Sequence, residues 1–171
     1  MSISKKKILV VDGYNIINSW ESLVEIANIS LDEARGKLID IMSEFEAISD
    51  EKIILVFDSH LKKGAKRSIE YKNNIEIVYT EEFETADNYI ERIVSNSKKH
   101  EEIRVATSDA IIQTIVMGQG ATRISSNELE LEFNTKKSRV VNLIKSRETK
   151  KSRNIVQIDE DKLDIIKKII D

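Results

Sequence analysis

At 171 residues, 40% hydrophobic and 33% charged, the chain has the composition of one folded domain, long enough to bury roughly two thirds of its unfolded surface. It has no cysteine, which excludes disulfides, thiolate zinc sites and cysteine nucleophiles; its two histidines, His60 and His100, match no helical metal pair. The formal net charge of -3 hides a segregation: bases gather at Lys62, Lys63, Lys66 and Arg67 and again from Lys136 to Arg153, acids in "TEEFETAD" and "ELELE".

The opening "MSISKKKILVVDGY" is basic, but only four apolar residues follow before Asp12. That is too few for a signal-peptide core or a membrane span, so a cytoplasmic protein is expected. A first strand is predicted from Lys7 to Asp12, turning at Gly13. "ISLDEARGKLIDIMSEFEAIS" reads as a helix, with Ser30 and Glu33 at capping-box spacing and Leu31, Ala34, Leu38, Ile41, Met42 and Phe45 on one stripe. "IILVFD" is a second strand, apolar enough to be buried on both faces, and "IEIVYT" a shorter third. "TADNYIERIVSNS" is a helix with Thr85 as N-cap and Asp87 in its first turn. "IRVATSD" is the next strand and "AIIQTIVMG" a short apolar helix that Gly118 can close. "TRIS" reads as an outer strand, followed by a helix from Ser126 with capping-box spacing between Ser125 and Glu128; "NIVQI" and a helix from about Asp159 finish the chain. Strands alternating with helices predict an α/β fold on a mainly parallel sheet. The basic stretch near Arg147 to Arg153 is the one linker-like segment. It divides a domain over 1–147 from a C-terminal basic linker and helix over 148–171, expected to pack on that same domain.

Strands in a parallel sheet point one way, so acids at their ends share the carboxyl edge, where such folds bind ligands. Asp12 ends the first strand, Asp58 the second, and Asp109 follows the fourth; Asp87 opens a helix that must start on that same side. Each has a structural alternative when taken alone: a turn at Asp12 or Asp58, a favourable charge at a helix start for Asp87, an N-cap at Asp109 or Ser108. Together they point to one site. Clustered carboxylates repel unless a cation compensates them, and oxygen-only ligands favour Mg2+ or Mn2+. Asn15 adds an amide without adding charge, while Thr85, Thr107 and Ser108 can hydrogen-bond the acids or a water. Glu91, one turn after Asp87, suits a surface salt bridge. Trp20 and Tyr14 have two readings each, base stacking or core packing, with the core favoured.

"VDGYN", "VFD", "ETADNYIE", "ATSD" and "GQGA", in this order and spacing, resemble the NYN-domain proteins of the PIN-like nuclease group, in the bacterial YacP-like branch. The resemblance runs from Lys7 to about Arg139 and implies a PIN-like, Rossmannoid three-layer fold. It further implies a metal-dependent endoribonuclease that associates with ribosomes and cuts messenger RNA. Carried over by position, Asp12, Asn15, Asp58, Asp87 and Asp109 are the expected catalytic set, with Asp12, Asp87 and Asp109 as metal ligands. Lys62, Lys63, Lys66, Arg67, Lys136, Lys137 and Arg139 are the expected RNA contacts, and no membrane or small-molecule cofactor is expected. Metal-activated water attack would leave 5'-phosphate and 3'-hydroxyl ends. A catalytically inactive RNA- or ribosome-binding module is the rival reading. A receiver-like phosphoacceptor ranks below both, because it needs an acid pair after the first strand and a lysine ending a late one.

Overall fold

The structure, a computed structural model, describes residues 4–170, with side chains described over 4–153. Successive residues of a strand face opposite sides of a sheet. In β1 (Lys6–Asp12), Leu9 and Val11 accordingly enter one apolar cluster while Ile8 and Val10 enter another. β2 (Lys52–Phe57) divides the same way, with Ile53, Leu55 and Phe57 on the first face and Ile54 and Val56 on the second. A sheet apolar on both sides needs cover on both sides. On the first face α1 (Gly13–Ser19), α2 (Glu21–Ala27), α3 (Leu31–Ile48) and the opening of α6 (Ser126–Ile170) contribute Ile16, Leu23, Leu38 and Leu129. On the second, α4 (Ala86–Ser95) and α5 (Ala110–Gly118) contribute Ile90, Val94, Ile112 and Val116. The three-layer α/β architecture expected from the sequence is the one observed.

The remaining strands are β3 (Ser68–Lys72), β4 (Ile75–Tyr79), β5 (Glu101–Ala106) and β6 (Thr122–Ile124), and the sheet order is β3-β4-β2-β1-β5-β6. All neighbours are parallel except β3 and β4. The chain moves outward from β1 through β2 to β4, then returns to the far side of β1 for β5. The winding thus reverses beside β1, which is where an open α/β sheet leaves a crevice at its carboxyl edge. Register sets the level of the edge: Asp12 pairs with Val56, two residues before Asp58, and Val11 with Ala106, one before Thr107.

Four local features differ from the sequence reading. The chain does not turn at Gly13 but starts α1 there, because this helix leaves β1 directly against β2: a β-carbon at Gly13 would fall 2.5 Å from the Phe57 ring. β3 went unseen because its exposed "SIEYK" carries no buried face; it pairs with β4 through a two-residue turn at Asn73 and Asn74, both at positive φ. Gly118 is the last residue of α5 rather than the reversal point, and Gly120, at φ +94°, turns the chain. The basic stretch from Arg147 to Arg153 is not a linker but part of the single backbone helix α6. No glycine or proline follows Gly120, and lysine and arginine are good helix formers, so nothing breaks it. The chain divides into two compact units, Met1–Phe133 and Asn134–Asp171, so the boundary falls before the expected position 147. Among the described residues no helix is long and apolar enough to cross a membrane.

Candidate active site

Burial and charge act together on Asp12. Loss of water pushes its carboxyl up to about 6, and the neighbouring carboxylates of Asp87 and Asp58 push the same way. The Asn15 backbone N–H and the Thr107 hydroxyl, which donates to Asp12 Oδ2 at 3.4 Å, offset only part of this. Asp87 is raised too, first by burial and then by Asp109 and Asp58. No lysine, arginine or histidine pairs with Asp12 or Asp87 among the described residues. The fold therefore holds two carboxylates close enough to repel, with no protein cation between them.

Asp58 is different. Burial alone would raise it, but the backbone N–H and ring of His60 and the N–H of Ala86 hold its carboxyl below the usual range. His60 N donates to Asp58 Oδ1 at 2.9 Å, His60 Nδ1 pairs with that same oxygen, and Ala86 N donates to Oδ2 at 3.0 Å. Both oxygens are committed, and one of them grips the start of α4, one residue before Asp87. Asp58 thus positions Asp87.

Asp109 N-caps α5: its Oδ1 accepts from Ile111 N at 2.9 Å and Ile112 N at 3.3 Å. Asn15 Oδ1 accepts from Ser108 N at 2.8 Å, which ties the β1 end to the β5 end and leaves the amide nitrogen to donate elsewhere. Thr107 is fully buried and bridges the two, accepting from Asp109 N at 3.2 Å while donating to Asp12. Thr85 does not reach the acids; it caps α4 by accepting from Asn88 N at 3.1 Å. Glu91 forms no salt bridge among the described residues but accepts from Gln119 Nε2 at 3.4 Å.

The donor chemistry fits a hard divalent ion, though the arrangement differs from the expected one. Among the described residues no three acidic, histidine or cysteine side chains converge tightly enough to hold a metal by themselves, so Asp12, Asp87 and Asp109 do not form a ready-made triad. Mg2+ commonly takes one or two carboxylates and completes its shell with water and substrate phosphate. Asp12 and Asp87 suit that pattern, since a cation bound there would offset the charge of Asp87 that, after burial, raises Asp12, and the charges of Asp109 and Asp58 that, after burial, raise Asp87.

The basic residues separate into groups. Lys62, Lys63 and Lys66 are exposed and make no ion pair among the described residues. Arg67 is not available for RNA: it donates to buried Glu84 at 3.0 and 2.6 Å and to Glu81 at 3.2 Å, and lies over the Tyr89 ring. A buried carboxylate needs its cation, and Arg67 and Arg92 both serve Glu84. Lys136, Lys137 and Arg139 belong to the second unit.

Trp20 is core, 2% exposed, with Nε1 donating to Ser126 O at 2.8 Å. Tyr14 packs edge-on against Phe57, and its hydroxyl accepts from Arg35 Nη1 at 2.9 Å. Arg35, half-buried on α3, escaped sequence reasoning because a helix-surface arginine carries no signal. With Tyr14, Asp58, His60, Lys62 and Tyr79 it lines a cleft of about 520 Å³ at this edge. Ser126 was likewise missed, although its hydroxyl meets that of Ser108 at 2.5 Å.

Comparison with known proteins gives concordant results. The YacP-like NYN domain model matches residues 9–171. The uncharacterized protein YacP of Bacillus subtilis (strain 168) is 35% identical over 162 residues, covering 94% of this chain and 95% of that protein. A crystal structure of Rae1 (YacP) from Bacillus subtilis superposes with a TM-score of 0.70 at 35% identity, covering 94% of this chain and 92% of that one. A tryptophan-to-leucine mutant of the same Bacillus protein gives a TM-score of 0.69 at 36% identity over 80% of each chain.

Proposed function

The chain belongs to the YacP-like NYN domain family, a nuclease-like family, and on that premise we propose that it is a metal-dependent endoribonuclease acting on messenger RNA in the cytoplasm, in association with the ribosome. The observation that carries the proposal is the uncompensated pair Asp12 and Asp87 beside the crevice where the sheet's winding reverses. Asp12 and Asp87 would hold Mg2+ or Mn2+ jointly with waters and the RNA phosphate. When bound, such an ion makes a water nucleophilic near neutral pH and offsets charge developing on the phosphoryl oxygens.

The chain's own groups do the rest. Asn15, anchored by Ser108 N, offers amide hydrogens to a phosphate oxygen or a water. Thr107 and the Asn15 N–H fix the Asp12 carboxylate, Asp58 and His60 fix the start of α4, and Asp109 fixes the start of α5. Lys62, Lys63 and Lys66 track the phosphate backbone. Water rather than the ribose 2'-hydroxyl is the nucleophile, so the ends are 5'-phosphate and 3'-hydroxyl. The ribosome and the message enter through the motif set and not through any contact described above.

A binding module that does not cut is the second reading, favoured by the absence of a ready-made three-ligand group among the described residues. One experiment separates them. Wild type, Asp12→Asn and Asp87→Asn are incubated with translated messenger RNA in Mg2+ or in excess chelator, and new ends are mapped. The enzyme reading expects discrete 5'-phosphate ends from wild type alone, with each variant losing about a thousandfold in rate, or roughly 4 kcal/mol of barrier lowering. Cyclic phosphate ends, or undiminished cutting in chelator, refute it.

A further inference from the structure

Phe83 sits in a conformation its side chain does not favour and in a place its side chain does not suit. Its φ is +67°, a region costly for any bulky residue, and it is 85% exposed, so no core burial offsets the strain. Such a residue persists when the surrounding backbone holds it there. Phe83 N donates to His60 O at 3.1 Å, Glu82 N to Ala65 O at 2.9 Å, and Gly64 N to Glu82 Oε2 at 2.9 Å. These bonds zip the loop before α4 to the loop after β2. They set Phe83 beside the residue that pairs with Asp58, and Leu61, next in that loop, is 86% exposed as well.

The charge around this apolar pair is mainly positive, with Glu82 the exception. Lys62, Lys63 and Lys66, together with Tyr79 and Thr80, line a second cleft of about 370 Å³ that shares Ser59, Lys62 and Tyr79 with the cleft at Asp58 and His60. Of the glutamates flanking Phe83, Glu81 and Glu84 are paired with arginine, while Glu82 is turned to Gly64 N and keeps its charge. Exposed apolar surface beside unpaired cations, leading to a phosphate-seeking site, matches single-stranded nucleic acid, which offers a base face and a phosphate at each step.

We propose that Phe83, with Leu61 beside it, is a stacking platform for an unpaired RNA base, and that Lys62, Lys63 and Lys66 hold the phosphates leading from that base to the carboxylates. This deepens the nuclease reading and rests on it for the identity of the substrate. Strand separation follows from the geometry of stacking, because a base paired in a duplex has no free face to give. The platform thereby selects single-stranded RNA.

The test measures binding of the full chain to a short fluorescent single-stranded oligoribonucleotide by anisotropy in chelator, where cutting does not intervene. Stacking contributes enough per base that replacing the bases by abasic sites should weaken wild type by about 5- to 100-fold. Phe83→Gly should bind the natural and abasic oligomers alike, while melting at or above the wild-type temperature because glycine accepts φ +67°. Phe83→Trp should keep the discrimination. Replacing the three lysines by alanine should lower the slope of log affinity against log salt by about 2, from about 0.7 per phosphate contact. Base discrimination surviving in Phe83→Gly, or equal affinity for duplex and single strand, would overturn the proposal. Those outcomes are independent of cutting: a wild type that cleaves but ignores base loss sinks the platform alone, and one that discriminates bases but never cleaves sinks the nuclease alone.

Discussion

Replacing Asp12 by asparagine should stabilise the protein while abolishing its chemistry, and the two effects have one cause. The Asp12 carboxyl stands at about 6 in the fold against an ordinary 3.8, raised first by burial and then by Asp87. The difference is about 2 pH units, and each unit corresponds to about 1.4 kcal/mol, so ionising this group in the folded state costs roughly 3 kcal/mol. The sign follows from linkage. Below about pH 4 the group is protonated in both folded and unfolded chains and contributes nothing; as pH rises from about 4 to about 6 the unfolded chain gives up this proton while the folded chain still holds it, so stability falls, and above about 6 the loss levels off. Asparagine has no proton to lose, and its Oδ1 can still accept from the Asn15 N–H and the Thr107 hydroxyl. Urea unfolding followed by circular dichroism should therefore show no advantage for Asp12→Asn near about pH 4, growing to about 2–3 kcal/mol at about pH 8. In melting temperature this is roughly 5–10 °C for a chain of this size. Millimolar Mg2+ should narrow the gap by stabilising wild type and not the variant, since a ligand stabilises only the state that binds it. A pH-independent difference, or a variant less stable than wild type at the alkaline end, would show that Asp12 is not held against its own charge.

Gly13→Ala should lower stability by about 1–3 kcal/mol, because the added carbon falls on the Phe57 ring and 3.0 Å from Val56 O; denaturant titration measures it. Arg104→Met should cost about 3–5 kcal/mol by the same assay, since it strands buried Glu51 beside Glu132, both of which now accept paired hydrogen bonds from this guanidinium at 2.5–3.0 Å. His60→Ala removes a partner that helps hold Asp58 below the usual carboxyl range. Stability from a lowered acid is present above the unfolded pKa and lost as pH falls through the folded one, so the acid-unfolding midpoint should move to higher pH. An unchanged midpoint would mean that the backbone N–H groups of residue 60 and Ala86 fix Asp58 without the imidazole.

Strong local signals were legible in the sequence. β1 and β2 declare themselves because both faces are buried, so their central residues are all apolar. Ser125 and Glu128 exchange the two bonds of a capping box, Ser125 N to Glu128 Oε2 at 2.7 Å and Glu128 N to Ser125 Oγ at 3.2 Å, as their spacing suggests. α1 and β3 lacked such a signal. The first is too short for a helical stripe and begins with a glycine that serves a distant phenylalanine; the second is exposed along its whole length.

The ends of the parallel strands were written along the chain, and with them the expectation that Asp12, Asp58, Asp87 and Asp109 share one edge. Hydrophobic alternation and helix caps are properties of near neighbours, which a linear reading can see. What each acid does was decided only when distant segments met. Asp58 became a bracket because Ala86 and His60 arrived beside it, Arg67 was drawn away from the surface by buried Glu84, and Asp12 was left buried within reach of the Asp87 charge, with no counter-ion for either among the described residues. Burial and Coulomb interactions depend on separation in space, which residues far apart in sequence acquire only when the chain folds.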